Sequence, residues 1–362
     1  MAESHRTSLF YPPAVAVGSP PASVTRSIVA RPVGSGKWDF KSQKFCCRVG
    51  RPVARRRRGY YLVPDDTYQS LAGCKLGYRI LKKRVLVTDP KTVHFEVDAP
   101  EVAAKAKAGQ FIILRVSEQG ERIPLTIAQA RADDGVTAIV VQEVGKTTHD
   151  LCNLEEGQEI LDFAGPLGQP THVEKRGTVC CVGGGIGNAV VWPQASAFRE
   201  AGNKVISIIG ARTKDLLILE DEIRAVSDET IVTTDDGSYG REGLVTDALK
   251  EVCERETVDE CITIGPVIMM KFVAATTKPF NVPTQVSLNP IMVDGTGMCG
   301  ACRVTVGGQT KFACVDGPEF DGHLVDFDEL MKRLAYYRDL EKVSYDRALE
   351  HECRCGKCEG GE

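Results

Sequence analysis

The sequence predicts an all-β domain followed by an α/β domain: an antiparallel β-barrel, then a doubly wound parallel sheet, then a small cysteine module. Three observations lead there. From position 78, short alternating segments recur at roughly ten-residue spacing between Gly-, Asp- and Pro-bearing turns. At Gly177 the rhythm changes to strand–helix alternation. Finally, Cys299, Cys302 and Cys314 stand at C-x₂-C-x₁₁-C in a glycine-rich stretch.

The elements follow in order. Residues 1–77 are Pro-, Ser- and Gly-rich. Positions 1–59 hold twelve Lys/Arg against two acids, a net of +10. The whole chain carries −4, which leaves −14 for the rest. The segment lacks an apolar core of about 7–15 residues and is no secretory signal. It is expected to be a disordered extension, with a transit peptide or a nucleic-acid arm as alternatives. Residues 78–172 form the barrel. Strands are expected at 84–87 (Arg-Val-Leu-Val), 92–97 (Thr-Val-His-Phe-Glu-Val), 109–116, 122–128, 136–143 and 159–163.

Residues 173–288 form the α/β domain. Its expected strands are 178–182, 204–209, 229–234 and 261–264, and its helices 188–201, 215–225, 245–254 and 267–276. The cysteine module spans 289–325. Residues 326–362 form a charged helical tail that ends in Cys353, Cys355 and Cys358.

Composition narrows the class. Hydrophobic residues make up 43% and charged residues 26%, the balance of a globular protein. No apolar run approaches the ~18 residues of a membrane span. Fourteen cysteines are many, but the chain is too long and too well patterned for a disulfide scaffold. Metal-ligating thiols in a reducing compartment, expected to be the cytoplasm, fit better.

The plant-type ferredoxin pattern is C-x₄-C-x₂-C with a distant fourth Cys. Laid on Cys299 and Cys302, its first position falls on Asp294. Asp294, Cys299, Cys302 and Cys314 are therefore the candidate ligands of a [2Fe–2S] cluster. Gly295, Gly297 and Gly300 let the backbone bend around it. A zinc knuckle is the alternative, although zinc sites favour a second tight pair. Cys353, Cys355 and Cys358 compete for the fourth position, and Asp294 is preferred as local.

Gly183, Gly184, Gly185 and Gly187 follow a buried strand and open a helix, a context that sets N–H groups against a pyrophosphate. A tight strand–helix turn is the plain alternative. Gly265, Pro266 and Met269 follow the last strand of the series and are placed to border a nicotinamide. Arg122, Pro124, Leu125 and Thr126 offer a guanidinium and a hydroxyl to a flavin. Gly145, Lys146, Thr147 and Thr148 supply further donors for flavin phosphates. They are no Walker A loop, because Val140 stands where its first Gly belongs.

From Tyr78 to the tail the chain resembles the ferredoxin–NADP reductase superfamily. It is most similar to the small subunit of NADH-dependent ferredoxin:NADP oxidoreductase, also known as the sulfide dehydrogenase beta subunit. The dihydroorotate dehydrogenase electron-transfer subunit is a more distant relative. The most specific stretch begins Ser287-Leu-Asn-Pro-Ile-Met-Val-Asp-Gly-Thr-Gly-Met-Cys-Gly-Ala-Cys. The resemblance implies FAD on the R-x-P-L-T and G-K-T-T segments, NAD(H) on the glycine loop, and a [2Fe–2S] cluster on Asp294 and the three cysteines. It also implies a larger flavin and iron–sulfur partner similar to the glutamate synthase small chain, with ferredoxin reached through that partner. Electron bifurcation is the implied activity. A sulfide dehydrogenase or polysulfide reductase role and dihydroorotate oxidation are the alternatives. Relatives often continue the glycine loop as Gly-Ile-Ala-Pro, whereas this chain has Asn188-Ala189-Val190. A zinc- or nucleic-acid-binding protein using the Arg tract at 55–58 would explain neither the barrel nor the glycine loop, so no nucleic-acid partner is expected.

Overall fold

The computed structural model describes residues 77–354 and, apart from them, two short antiparallel strands, Arg56–Arg57 and Tyr60–Tyr61. The rest of the expected N-terminal extension lies outside the described residues. So do Cys355, Cys358 and the Cys353 side chain.

Seven strands form one antiparallel sheet: β1 (Tyr78–Thr88), β2 (Lys91–Asp98), β3 (Phe111–Arg115), β4 (Ile123–Arg131), β5 (Val136–Gln142), β6 (Glu159–Ile160) and β7 (Asp162–Leu167). A helix, α1 (Lys146–Cys152), separates β5 from β6. The strands lie in the order β6-β1-β2-β5-β4-β3-β7. Leu161 alone separates β6 from β7, which occupy opposite edges. The chain thus carries one edge to the other and nearly closes a barrel. Period-two alternation fills it: Val93, Phe95 and Val97 of β2 meet Ile112, Leu114, Ile139 and Val141 in one core.

The second sheet begins with β8 (Thr178–Gly184), followed by helix α2 (Asn188–Glu200), β9 (Lys204–Ala211), α3 (Glu220–Ala225), β10 (Glu229–Thr234) and β11 (Arg241–Glu242). Then come α4 (Val245–Arg255), β12 (Glu260–Ile264), α5 (Val267–Thr277) and β13 (Thr284–Ser287). These six strands run parallel. Val179, Cys180, Cys181 and Val182 are fully buried, because helices cover both faces of a parallel sheet and its central strand reads as an unbroken apolar run. A hairpin follows, β14 (Arg303–Val306) with β15 (Gln309–Phe312). The next strand, β16 (Glu319–Asp321), joins the edge of the parallel sheet antiparallel to β13. The order is β11-β10-β9-β8-β12-β13-β16. The chain proceeds outward from β8 and later returns to its other side at β12. That makes the carboxyl ends of β8 and β12 the topological switch point.

Two expectations change. The helix expected at 215–225 is a 3₁₀ turn (Lys214–Leu216), then Leu219 in a left-handed conformation (φ 57°), then the short α3. The four consecutive apolar residues 216–219 all reach the core around Phe198. A helix, which turns one residue in 3.6 toward a given direction, does not permit that. The tail is two helices, α6 (Phe327–Ala335) and α7 (Arg338–Arg354), rather than one. Asp326 caps α6 by accepting the Glu329 N–H at 2.9 Å.

A polar junction ties the parts together. The Glu319 carboxylate accepts from the Thr171 hydroxyl at 2.7 Å and from the Gln194 amide of α2. Gly109 of the barrel lies against the same carboxylate, close enough that a Cβ there would sit 2.7 Å from Glu319 Oε1. No cation pairs with Glu319 among the described residues. Burial pushes the carboxyl up to about 7, with nearby Glu260 adding to the rise.

Two predictions follow from this packing. A Cβ at Gly187 would overlap the Ile264 carbonyl at the end of β12. Its φ of −60° suits any residue, so the cost of Gly187→Ala is steric. Urea unfolding should show a loss of about 1–3 kcal/mol. For Glu319, the neutral acid is the form the fold prefers. Its contribution is full below the unfolded pKa and declines as pH rises through about 7. Glu319→Gln should match the wild type near pH 5 and exceed its stability at pH 8 by roughly 1–2 kcal/mol, allowing for partial solvent access. Equal curves at pH 8 would refute the assignment.

Candidate functional site

A cleft of about 930 Å³ opens at the switch point and runs against the barrel. From the barrel come Pro124, Leu125 and Thr126 of β4, Gln142 at the end of β5, and Val144 and Thr148 beside α1. The parallel sheet supplies Gly184 at the end of β8, Gly185, Ile186 and Gly187 just after it, and Gly265, Pro266 and Met269 after β12. Farther along lie Gly210, Arg212 and Asp235, at the ends of β9 and β10. Ser287, Leu288, Asn289 and Met292 close the side that leads to the cysteine loop. Most of this lining is apolar side chain and exposed backbone, with few polar groups, as in a site for a large planar ligand.

The glycines have separate physical reasons. Gly185 adopts φ +58°, and a Cβ there would meet nothing within 4 Å, so it faces open cleft. At Gly184 and Gly265 a Cβ would run into the Met269 side chain, which closes over both. Gly183 is turned away from the cleft, toward Asn188 and Val191. Asn188 is fully buried. Its amide donates to the Gly210 carbonyl at 3.5 Å, and its Oδ1 has no partner. Asn188 thus ties the start of α2 to β9.

The structure brings ten of the fifteen expected nucleotide-site residues into one cleft. The other five do not line it. Gly183 packs as described, and Thr147 is buried. Lys146 pairs with Asp150 at 2.6 Å, and Arg122, half exposed, stands 3.9 Å from Asp162. Gly145 caps α1 in an extended conformation. The Thr148 hydroxyl accepts the Val144 and Gly145 N–H groups at 2.9 and 3.0 Å and fixes that turn. Missing from the sequence reading are Gln142, Asp235 and 287–289. Applying the rule that ligands sit beyond carboxyl ends to every strand would have found Asp235 and Ser287.

The cysteine loop lies beside this cleft. Gly295, Gly297 and Gly300 all adopt positive φ (73°, 85° and 67°). Asp294 organises the loop: its Oδ1 accepts the Thr296 N–H at 2.9 Å and its Oδ2 the Cys299 N–H at 2.8 Å. The Thr296 bond, aided by Cys299 against a burial effect, holds the carboxyl below the usual range. Cys302 and Cys314 are buried with their sulfurs 3.2 Å apart, whereas Cys299 is exposed and accepts the Ala301 N–H at 3.5 Å. Burial, with the neighbouring Cys302, pushes the Cys314 thiol up to about 12. Three thiols, an anionic oxygen and an N–H aimed at sulfur make a donor set that suits an iron–sulfur cluster.

The loop and the cleft share a core. A Cβ at Gly295 would stand 2.8 Å from both Ile113 and Leu167 of the barrel. Cys302 and Cys314 belong to the same buried cluster as Phe111 and Met292, both of which line the cleft. Among the described residues no helix is long and apolar enough to cross a membrane.

Comparison with known proteins agrees with this layout. Residues 78–172 match the oxidoreductase FAD-binding domain, and residues 289–326 match the iron–sulfur cluster binding domain of dihydroorotate dehydrogenase B. A homolog of the dihydroorotate dehydrogenase B (NAD(+)) electron transfer subunit from Thermotoga maritima is 53% identical over 271 residues, 75% of this chain and 95% of the relative. A probable electron transfer subunit of the same enzyme from Methanocaldococcus jannaschii is 35% identical over 246 residues, 68% of this chain and 90% of the relative. A solved structure of NADH-dependent reduced ferredoxin–NADP oxidoreductase, described in the context of flavin-based electron bifurcation, superposes with a TM-score of 0.72 at 52% identity. It covers 76% of this chain and 99% of the other. On these matches, the chain belongs to the family of dihydroorotate dehydrogenase B electron-transfer subunits and their homologs.

Proposed function

We propose that this chain is the electron-transfer flavoprotein subunit of a larger oxidoreductase, moving electrons between NAD(H), FAD and a [2Fe–2S] cluster and on to a partner subunit. One observation carries the reading: the core that holds Cys302 and Cys314 reaches the wall of the nucleotide cleft through Phe111 and Met292. Two redox groups seated at the two ends of that core would thus share one packed apolar wall.

The bound groups supply the redox chemistry itself, a hydride donor, a flavin and a one-electron iron–sulfur carrier. The chain's own residues bind and orient. Leu125 and Thr126 of β4 would hold the flavin ring, and Thr148 and the turn before α1 would hold its phosphates. Gly184, Gly185 and Gly187 would let the backbone at the start of α2 approach the dinucleotide closely. Met269 closes over Gly184 and Gly265, and with Pro266 would shield the nicotinamide from water. Asp294, Cys299, Cys302 and Cys314 hold the cluster.

The larger partner is read as the flavin and iron–sulfur subunit of a ferredoxin:NADP oxidoreductase, with the whole acting in the cytoplasm. The 52% identity to the solved oxidoreductase over 99% of its chain favours that partner. The names of the curated relatives favour a second reading, in which the partner oxidises dihydroorotate. Identifying the subunit that co-purifies separates the two.

Absorption and EPR spectra of the anaerobic full chain, before and after NADH, test the core of this reading. Flavin bands should bleach and a rhombic S = ½ signal should appear, with about two irons per chain. Asp294→Ala should weaken iron retention at least ~10-fold while flavin bleaching persists. Bleaching with no EPR signal would leave a plain flavin reductase, and zinc in place of iron would overturn the cluster assignment.

A further inference from the structure

The C-terminal helix α7 is mostly exposed. Leu340, Val343 and Leu349 retain 66%, 45% and 38% of their surface, so hydrophobic burial does little to hold it. It nonetheless makes a well-formed polar contact beside the barrel. The Tyr345 hydroxyl donates to Glu143 Oε1 at 2.7 Å. The same oxygen faces His149 Nδ1 at 2.7 Å. The His149 and Tyr345 rings meet edge to face, with centroids 5.7 Å apart. On the far side of the imidazole, Asn153 approaches Nε2 at 3.0 Å, and Lys91 donates to Asn153 at 3.0 Å.

The position of this cluster matters more than its strength. Glu143 directly follows β5 and directly precedes the turn at 144–148. His149 directly follows that turn, inside α1. Val144 and Thr148 of the turn line the cleft. The Glu143–His149 contact therefore pinches the two ends of the turn together, and Tyr345 seals the pinch from a position 202 residues beyond Glu143. Burial works to raise the Glu143 carboxyl, but the bonds from His149 and Tyr345 outweigh it and hold the carboxyl below its usual range. Burial and the Glu143 contact push the Tyr345 phenol up to about 12, so its proton stays available to donate.

From this geometry we infer that α7 is a working part of the flavin site: Tyr345, acting through Glu143 and His149, is a positioning residue that holds the 144–148 turn in its flavin-phosphate-binding shape. The inference rests on the reading of that turn as part of the FAD site. It concerns affinity and dissociation of the flavin, not its chemistry. A hydrogen bond from a hydroxyl to a carboxylate in a partly buried place is among the stronger neutral-to-charged contacts. Its removal frees the helix and relaxes the turn together.

Tyr345→Phe in the full chain removes the hydroxyl and keeps the ring packing. FAD dissociation, followed by the rise in fluorescence of released flavin, should be about tenfold faster than in the wild type. The melting temperature of the flavin-free chain and the iron content should be unchanged, because no buried core of the described residues contains Tyr345. Leu340→Ala, on the exposed side of the same helix, should leave FAD release as it is. Release within twofold of the wild type in Tyr345→Phe would overturn the inference. So would equal acceleration in Leu340→Ala, or a fall in melting temperature and iron content that tracks the flavin loss. A wild-type chain that binds no FAD would overturn the flavin reading itself, and the inference with it.

Discussion

The antiparallel pairing of β16 with β13 is the contact on which the rest of the arrangement depends. Six strands of the second sheet are parallel and belong to the nucleotide-binding unit. The seventh, Glu319–Asp321, arrives from beyond the cysteine loop and completes the edge. Both ends of that loop are thereby fixed, one by β13 and the other by β16. The cysteines between them cannot drift from the cleft without breaking a sheet. Sealing an edge strand also removes a row of unpaired backbone groups that would otherwise invite another chain.

Glu319 lies in the strand that does this sealing. Its carboxylate reaches the barrel at Gly109, the linker at Thr171 and α2 at Gln194. A protein whose nucleotide cleft and cysteine loop adjoin needs its parts registered to one another more than it needs each part to be very stable. Polar contacts with directional geometry give such registration, whereas apolar packing alone tolerates sliding. The apolar core around Phe111, Cys302 and Phe320 supplies close packing, and the polar junction fixes the register.

Much of this was legible beforehand. Period-two runs located the barrel strands, because one face of each is buried and the other is not. The buried strand expected at 178–182 and the glycines after it marked one wall of the cleft, although the strand itself runs on through Gly184. Legibility failed where long-range contacts decide the outcome. Strand β16 is three residues long and pairs with a partner more than thirty positions earlier, and no local pattern marks it. Residues 216–219 read as helix because composition does not reveal that all four face one core. Arg122 and Lys146 were expected to grip phosphates, but Asp162 and Asp150 are their neighbours in the folded chain, and only the fold shows that. Residues such as Asp235 and Asn289 reach the cleft from strand ends whose order in the sheet is a three-dimensional fact.

The seam of the barrel has a consequence for how such a chain can change over time. Strands β6 and β7 sit at the two free edges of the sheet and are joined through Leu161, whose N–H bonds to the Val116 carbonyl at 3.3 Å. Closure there is a property of the covalent chain rather than of a ladder of hydrogen bonds. An added residue at that point would lengthen the tether and let the edges part, whereas the turn at 117–121, which bridges neighbouring strands and faces solvent, has room for one. Insertions and deletions in related chains should therefore accumulate at the turn and avoid the tether. The spacing between residues 160 and 162 then serves as a ruler by which distant barrels of this construction can be aligned when their sequences no longer can.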